Sequence, residues 1–176
     1  MAKENVNHPA HYNQHPAGIE CIEIIRHYTF DIANAIKYLW RAGLKTEMSM
    51  SDAEKEIEDL YKALWYIADY LTMCATQGVQ HYPLGCSASV VLFKLTGHGI
   101  DDVTKGYDQN VSIAMEGLLR IGIISLHTVY AVDEWKYWLN RSQQAIIKRI
   151  DEIEEQISKT TNKTLEEEGL QLIAME

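Results

Sequence analysis

"SDAEKEIEDLYKALWYIADYLTMCATQG", residues 51–78, decides the fold class. Ile57, Leu60, Leu64, Ile67 and Leu71 recur at the three- and four-residue steps of an amphipathic helix. Ser51 with Glu54 forms a capping box that starts the helix, and Gly78 ends it. Outward from this stretch the pattern stays helical. "FDIANAIKYLWRAGLK" (30–45) carries an apolar stripe of Ile32, Ile36, Leu39 and Trp40, with Asp31 as its expected N-cap and Gly43 near its stop. "IECIEIIRHY" (19–28) reads as a shorter helix with Ile19, Ile22 and either Ile25 or Arg26 at turn spacing, and residues 1–17 read as an irregular arm.

Downstream of "HYPLG" (81–85), the segment "SASVVLFKLTGHG" (87–99) is β-branched at its centre. Its helical surroundings favour a helix over a strand. "GIDDVTKGYDQN" (99–110) reads as a loop, and two long helical patterns cover 111–132 and 133–159. In the second, Trp138, Ala145, Ile146, Ile150, Ile153 and Ile157 form a stripe that could pair chains as a coiled-coil-like arm, with "TTNKT" (160–164) breaking it. The expected fold is all-α: a compact helical bundle with long C-terminal helices, pairing between subunits. The expected division is an N-terminal region 1–78 and a helical C-terminal region 79–176 that serves oligomerisation and ends in an acidic tail.

The chain has 176 residues, enough for one domain or one domain with an extension, and 47% are hydrophobic. Its formal net charge is −9. Residues 150–176 hold eight carboxylates against Lys159 and Lys163, a net of −6 and so two thirds of the total. A duplex-binding surface is not expected, because a phosphate backbone needs a clustered cationic face. No run of about 20 apolar residues is present, so no membrane span is expected. The start "MAKENVNHPAHY" lacks a secretory pattern, which favours a cytoplasmic location. Cys21, Cys74 and Cys86 are odd in number and widely spaced, and read as reduced thiols.

Two constellations could carry chemistry. Asn34, Lys37 and Arg41 project from one side of their helix, with Lys45 a turn further on. This cationic ridge is suited to phosphate or carboxylate unless it is simply a solvated face. Glu20 and Glu23 on one helix, and Glu56 and Asp59 on another, form two acidic i, i+3 steps. If those helices pack side by side, the four carboxylates could meet and hold Mg²⁺. This pairing resembles the metal-binding pattern of the all-α nucleoside triphosphate pyrophosphatases of the MazG and dimeric dUTPase type. Tyr61, Trp65 and Tyr66 on one helix and Trp40 on another could stack on a base, although aromatics at helical spacing are more often core; Trp65 is expected in the core, while Trp40 is left open. His81, His98 and His127 lie alone on separate elements, and no P-loop, GxSxG or HExxH motif occurs.

Four blocks, "HPAHY" (8–12), "GIECI" (18–22), "NAIKYLWR" (34–41) and "DLYKALWYI" (59–67), occur in the order seen in the SaV-like family of phage and prophage proteins. Over about residues 6–73 the chain resembles that family, which is of largely unknown function and includes a T7-type phage nucleotide kinase without a P-loop. The resemblance implies a site built from His8, His11 and Tyr12 in the arm, Glu20, Asn34, Lys37, Tyr38 and Arg41, and Asp59 and Lys62. Its expected work is phosphoryl transfer to deoxynucleoside monophosphates from a nucleoside triphosphate, in an infected or lysogenic host cell. Pro9 keeps the arm extended, so His11 could reach the phosphates that Lys37 and Arg41 neutralise, with His8, Tyr12, Asn34, Tyr38 and Lys62 binding substrate. The alternatives are the Mg²⁺-dependent pyrophosphatase, with Glu20, Glu23, Glu56 and Asp59 as ligands, and a non-catalytic oligomer that binds a nucleotide or a host protein.

Overall fold

The computed structural model describes Tyr12 and residues 15–77, 87–121 and 134–174. Among these the structure is all-α, as expected: α1 (Cys21–Ile25), α2 (Phe30–Arg41), α3 (Asp52–Gln77), α4 (Ser87–Thr96), α5 (Ile100–Val103), α6 (Gln109–Leu119) and α7 (Glu134–Ala174). Helices α2 and α3 form one tightly packed pair and α6 and α7 another. Contacts of α3 with α7 and of α2 with α6 close the four into a bundle. The short α1, α4 and α5 are fitted at its side.

The apolar stripe of α2 does what its spacing predicts: Ile32, Ile36, Leu39 and Trp40 are fully buried. Its N-cap is Thr29 rather than Asp31, which lies in the first turn and is itself buried. A first-turn carboxylate still meets the positive end of the helix dipole, so the residue type was informative although its position was not. On α3 the Ser51–Glu54 capping box is present, with the Ser51 N–H donating to Glu54 Oε2 at 2.8 Å and the Glu54 N–H to Ser51 Oγ at 3.2 Å. The deepest face of α3 runs through Lys55, Asp59, Leu60, Ala63, Ile67 and Tyr70, so two charged residues share it with the core. In the first helix the register also differs from expectation. Helix α1 is a single short turn that buries Cys21 and Ile24 and leaves Ile22 exposed.

The core does not stop at the boundary expected near residue 78. Val111, Ala114, Met115 and Leu118 of α6 and Ile146, Ile150 and Ile153 of α7 join Ile36, Leu60 and Ile67 in one cluster. The apolar stripe read as a surface for pairing chains is therefore largely spent inside the chain. Only beyond Ile153 does α7 leave the bundle, with every described side chain from Glu154 to Thr164 exposed. "TTNKT" does not break this helix. Thr160, Thr161 and Thr164 each donate a hydroxyl to the carbonyl four residues earlier, which keeps them compatible with a continuous helix. The segment 87–99 is helical through Thr96, as favoured, and the expected loop after it holds the single turn α5.

Helices α6 and α7 touch backbone to side chain at Gly117. A Cβ there would lie 2.8 Å from the Trp138 carbonyl oxygen and collide with Ser142 Oγ. Ser142 cannot easily yield, because its hydroxyl donates to the Ala114 carbonyl at 2.8 Å from a fully buried position. Gly117→Ala is expected to destabilise the fold by about 1–3 kcal/mol, the usual cost of overpacking. Urea denaturation followed by circular dichroism measures it, and a change below about 0.5 kcal/mol, within the range of ordinary surface substitutions, would show that the helices simply move apart.

Candidate functional site

The polar centre of the N-terminal half is an ion pair. Arg41, at the last turn of α2, donates from Nη2 to Asp59 Oδ1 at 2.6 Å and from Nε to Asp59 Oδ2 at 3.0 Å, a two-pronged contact with α3. Asp59 is fully buried and the Arg41 side chain is 10% exposed. Burial works against the Arg41 charge, but the hydrogen bonds and charge of Asp59 outweigh it and raise its pKa. Lys55, also buried, sits 3.5 Å from Asp59 Oδ1 and 3.6 Å from Glu47, and donates to Glu58. Lys62 closes on the same Glu58, and these two lysines hold its carboxyl down at about 2.

The arm is tied to this centre at two residues. Trp40 donates its indole N–H to the Tyr12 carbonyl at 3.2 Å, and Arg41 Nη1 reaches the Tyr12 hydroxyl at 3.4 Å. His15, 4% exposed, lies against Trp40 and Tyr107 with ring centroids 4.9 and 5.7 Å away. The Ala17 N–H donates to His15 Nδ1 at 3.1 Å, which leaves Nε2 as the protonated nitrogen, donating to the Val103 carbonyl at 3.0 Å. Burial lowers the His15 pKa, and the charge of nearby His98 adds to the effect. The expectation that Trp65 lies in the core is corrected, and Trp40, left open from the sequence, is settled. Trp40 is the core residue, holding the arm, and Trp65 is 61% exposed.

Lys37 differs from its neighbours Arg41, Lys55 and Lys62, each of which is paired with a carboxylate. Its ammonium donates to Asn34 Oδ1 at 2.6 Å, and among the described residues it has no carboxylate partner. Burial first, then the charge of Arg41 one turn away, lower its pKa, while Cys21 opposes them. Cys21 is buried in the same field, and burial pushes its thiol up to about 12 against the pull of Lys37 and Arg41. Such a thiol stays protonated and is a packing group. Around Tyr38 the ammonium of Lys37 lies 4.8 Å from the ring centroid, the Arg41 guanidinium carbon 4.5 Å and the Lys62 ammonium 5.8 Å. Tyr66 of α3 stacks on Tyr38 at 5.7 Å, and Phe30 and Trp65 meet Tyr66 edge-on at 6.0 and 4.9 Å.

Of the residues expected at the site, the structure brings together Tyr12, Asn34, Lys37, Tyr38, Arg41, Asp59 and Lys62. His8 and His11 lie outside the described residues. The expected carboxylate cluster does not form. Asp59 is taken by Arg41. Glu56 turns the other way to accept from Arg149 of α7 at 2.8 Å. Glu23 caps its own helix, accepting from the Glu20 N–H at 3.1 Å. Among the described residues no three histidine, cysteine, aspartate or glutamate side chains are placed to hold a metal ion. Phe30 and His15 were not singled out from the sequence. For Phe30 a signal existed, because 30, 34, 37, 38 and 41 lie along one helix face.

Residues 6–68, 63 of the 176, match the model of a protein family of unknown function, DUF3310. No curated protein and no solved structure matches the chain. Among the described residues no helix is long and apolar enough to cross a membrane.

Two outcomes are expected from this geometry. Asp59→Ala should cost about 3–5 kcal/mol in chemical denaturation, because it leaves a buried guanidinium and a buried ammonium without their shared carboxylate. A loss below about 1 kcal/mol would mean that water takes the place of Asp59. The second outcome concerns pH. With its folded pKa below the ordinary 6.5, neutral His15 is compatible with full stability above that value. Stability is then lost as pH falls below 6.5, where the unfolded chain takes up a proton and the fold resists it. His15→Phe should therefore flatten the slope of unfolding free energy between pH 7 and pH 5, and an unchanged slope would remove His15 as its source.

Proposed function

We propose that the face shared by α2 and α3 binds the phosphate of a deoxynucleoside monophosphate and directs phosphoryl transfer to it from a nucleoside triphosphate that brings its own Mg²⁺. The observation that carries this reading is Lys37: a partly desolvated ammonium, in a chain of net charge −9, with an amide oxygen as partner where a carboxylate would be ordinary. A phosphate monoester supplies the missing negative charge and hydrogen-bond acceptors. Support for the transfer step comes from the resemblance of residues 6–73 to a family that contains a kinase without a P-loop.

The chemistry asks little of the protein. An oxygen of the acceptor monophosphate attacks the γ-phosphorus of the donor. The bond from that phosphorus to the β–γ bridging oxygen breaks, and the nucleoside diphosphate leaves with the electron pair. A monophosphate is largely a dianion above about pH 6, so its attacking oxygen needs no base. Positioning and charge neutralisation remain, and they are the larger part of phosphoryl transfer. Lys37 would hold the acceptor phosphate, and Lys62, half-exposed on α3, would offer a second cation. Arg41, committed to Asp59, contributes its field from below. The pyrophosphatase alternative would need the four carboxylates to converge, and they are divided among Arg41, Arg149 and a helix cap.

Incubation of the full chain with deoxynucleoside monophosphates, ATP and Mg²⁺, followed by ion-exchange separation, is expected to yield deoxynucleoside diphosphates and ADP. Lys37→Ala should lower the rate at least tenfold, about 1.4 kcal/mol of transition-state stabilisation, with its unfolding midpoint unchanged. Because the Lys37 pKa is lowered, monophosphate affinity should fall as pH rises at values below the 10.5 of an ordinary lysine. Lys37→Arg should keep its affinity over that range. Capture of nucleotide without turnover would leave a binding protein. Absence of both capture and turnover would end the nucleotide reading.

A further inference from the structure

Resting on that reading, we infer that the ring ledge of Phe30, Tyr66 and Trp65 is a base-stacking platform, so that the ligand of this face is a nucleoside monophosphate held at both ends. Phe30 is 73% exposed and Trp65 61%, yet neither is an isolated surface ring. Both pack edge-on against Tyr66, which stacks in turn on Tyr38, so four rings from two helices form one continuous aromatic surface. An exposed aromatic cluster of this kind, held rigidly by helices, offers a π-face to any planar base.

The ledge ends at the cations. Lys37 and Lys62 lie over Tyr38, the ring that adjoins Tyr66. Asn34 joins the two ends physically, donating its amide to the Phe30 carbonyl at 2.8 Å while accepting from Lys37. Phe30, Asn34, Lys37 and Tyr38 thus follow one face of α2, with aromatic surface at its start and positive charge one to two turns on. A planar group joined by a short spacer to a phosphate matches that order, and charge complementarity fixes its direction: base toward Phe30, phosphate toward Lys37. Neither ring is needed by the core, so the ledge can be altered without unfolding the chain.

Isothermal titration of the full chain with dTMP, deoxyribose 5-phosphate and thymidine separates the two ends. The expected result is that dTMP binds at least about fivefold more tightly than deoxyribose 5-phosphate, the lower range of one base stacked on an aromatic side chain. Phe30→Ser should bring dTMP down to the level of the sugar phosphate, whose own affinity stays unchanged, and Trp65→Ala should do so in part. Lys37→Ala should weaken dTMP and sugar phosphate alike. Equal affinity for dTMP and deoxyribose 5-phosphate, or a dTMP affinity indifferent to both ring substitutions, would overturn the platform while leaving the phosphate site intact. Thymidine binding as tightly as dTMP, sensitive to Phe30→Ser but not to Lys37→Ala, would keep the platform and overturn the phosphate reading. No binding of any of the three would overturn both.

Discussion

The Arg41–Asp59 pair is the constraint on which the N-terminal half is built. Both groups are withdrawn from water, so each depends on the other, and a one-residue slip of α2 against α3 would leave two buried charges unmatched. The pair therefore sets the register of the two helices as well as their distance. It also sets what lies around it. Lys55 is drawn in beside Asp59, and Tyr12 is held where the guanidinium and the Trp40 indole can both reach it. Lys37 lies one turn before Arg41, where two like charges repel. Burial first, and then this repulsion, lower the pKa of Lys37.

The C-terminal region supports this arrangement from behind. Arg149 of α7 reaches Glu56 at 2.8 Å and Asp108, the N-cap of α6, at 3.3 Å, while Asn110 donates to both oxygens of Glu152 at 3.0 Å. Tyr28, just before α2, donates to the Leu119 carbonyl at the end of α6 at 2.9 Å. The Arg149–Glu56 and Tyr28–Leu119 contacts join residues from the two sides of the expected boundary, and the other two brace α6 against α7. Glu56 and Asp59, three apart on one helix, are thereby assigned opposite duties. One anchors α7 and the other anchors α2, and this division is why no shared carboxylate site arises.

Apolar periodicity made the helices legible, because burying a stripe is what stabilises them and the stripe is written in residue type. The facing of charged and aromatic residues was not, because it depends on partners that lie far along the chain. Asp59 reads as a solvated carboxylate until Arg41, 18 residues earlier, is placed opposite it. Trp40 and Trp65 have the same side chain and both sit at helical spacing. What separates them is that Tyr12, His15 and Tyr107 close over one, while the other meets Tyr66 edge-on and stays 61% exposed. "TTNKT" looked like a break because threonine disfavours helix interiors. Within a long helix the hydroxyls bond back to the preceding turn, and the flanking residues already supply the cooperativity.

If the proposed reading holds, the charge balance at the ledge would suit a small anion better than a polymer. Lys37, Arg41, Lys55 and Lys62 carry four positive charges, and Asp59, Glu58 and Glu47 return three, leaving a local excess of one. Lys55 and Lys62 hold the Glu58 carboxyl down at about 2, so Glu58 keeps its charge on mild acidification. One phosphate placed beside Lys37 meets this excess at short range, where the partly desolvated ammonium makes the attraction strongest. A second and third phosphate along a strand would find no further excess, and would add their charge to a molecule that already carries −9. On the proposed reading, the ledge would favour ligands with a base at one end and their charge concentrated at the other.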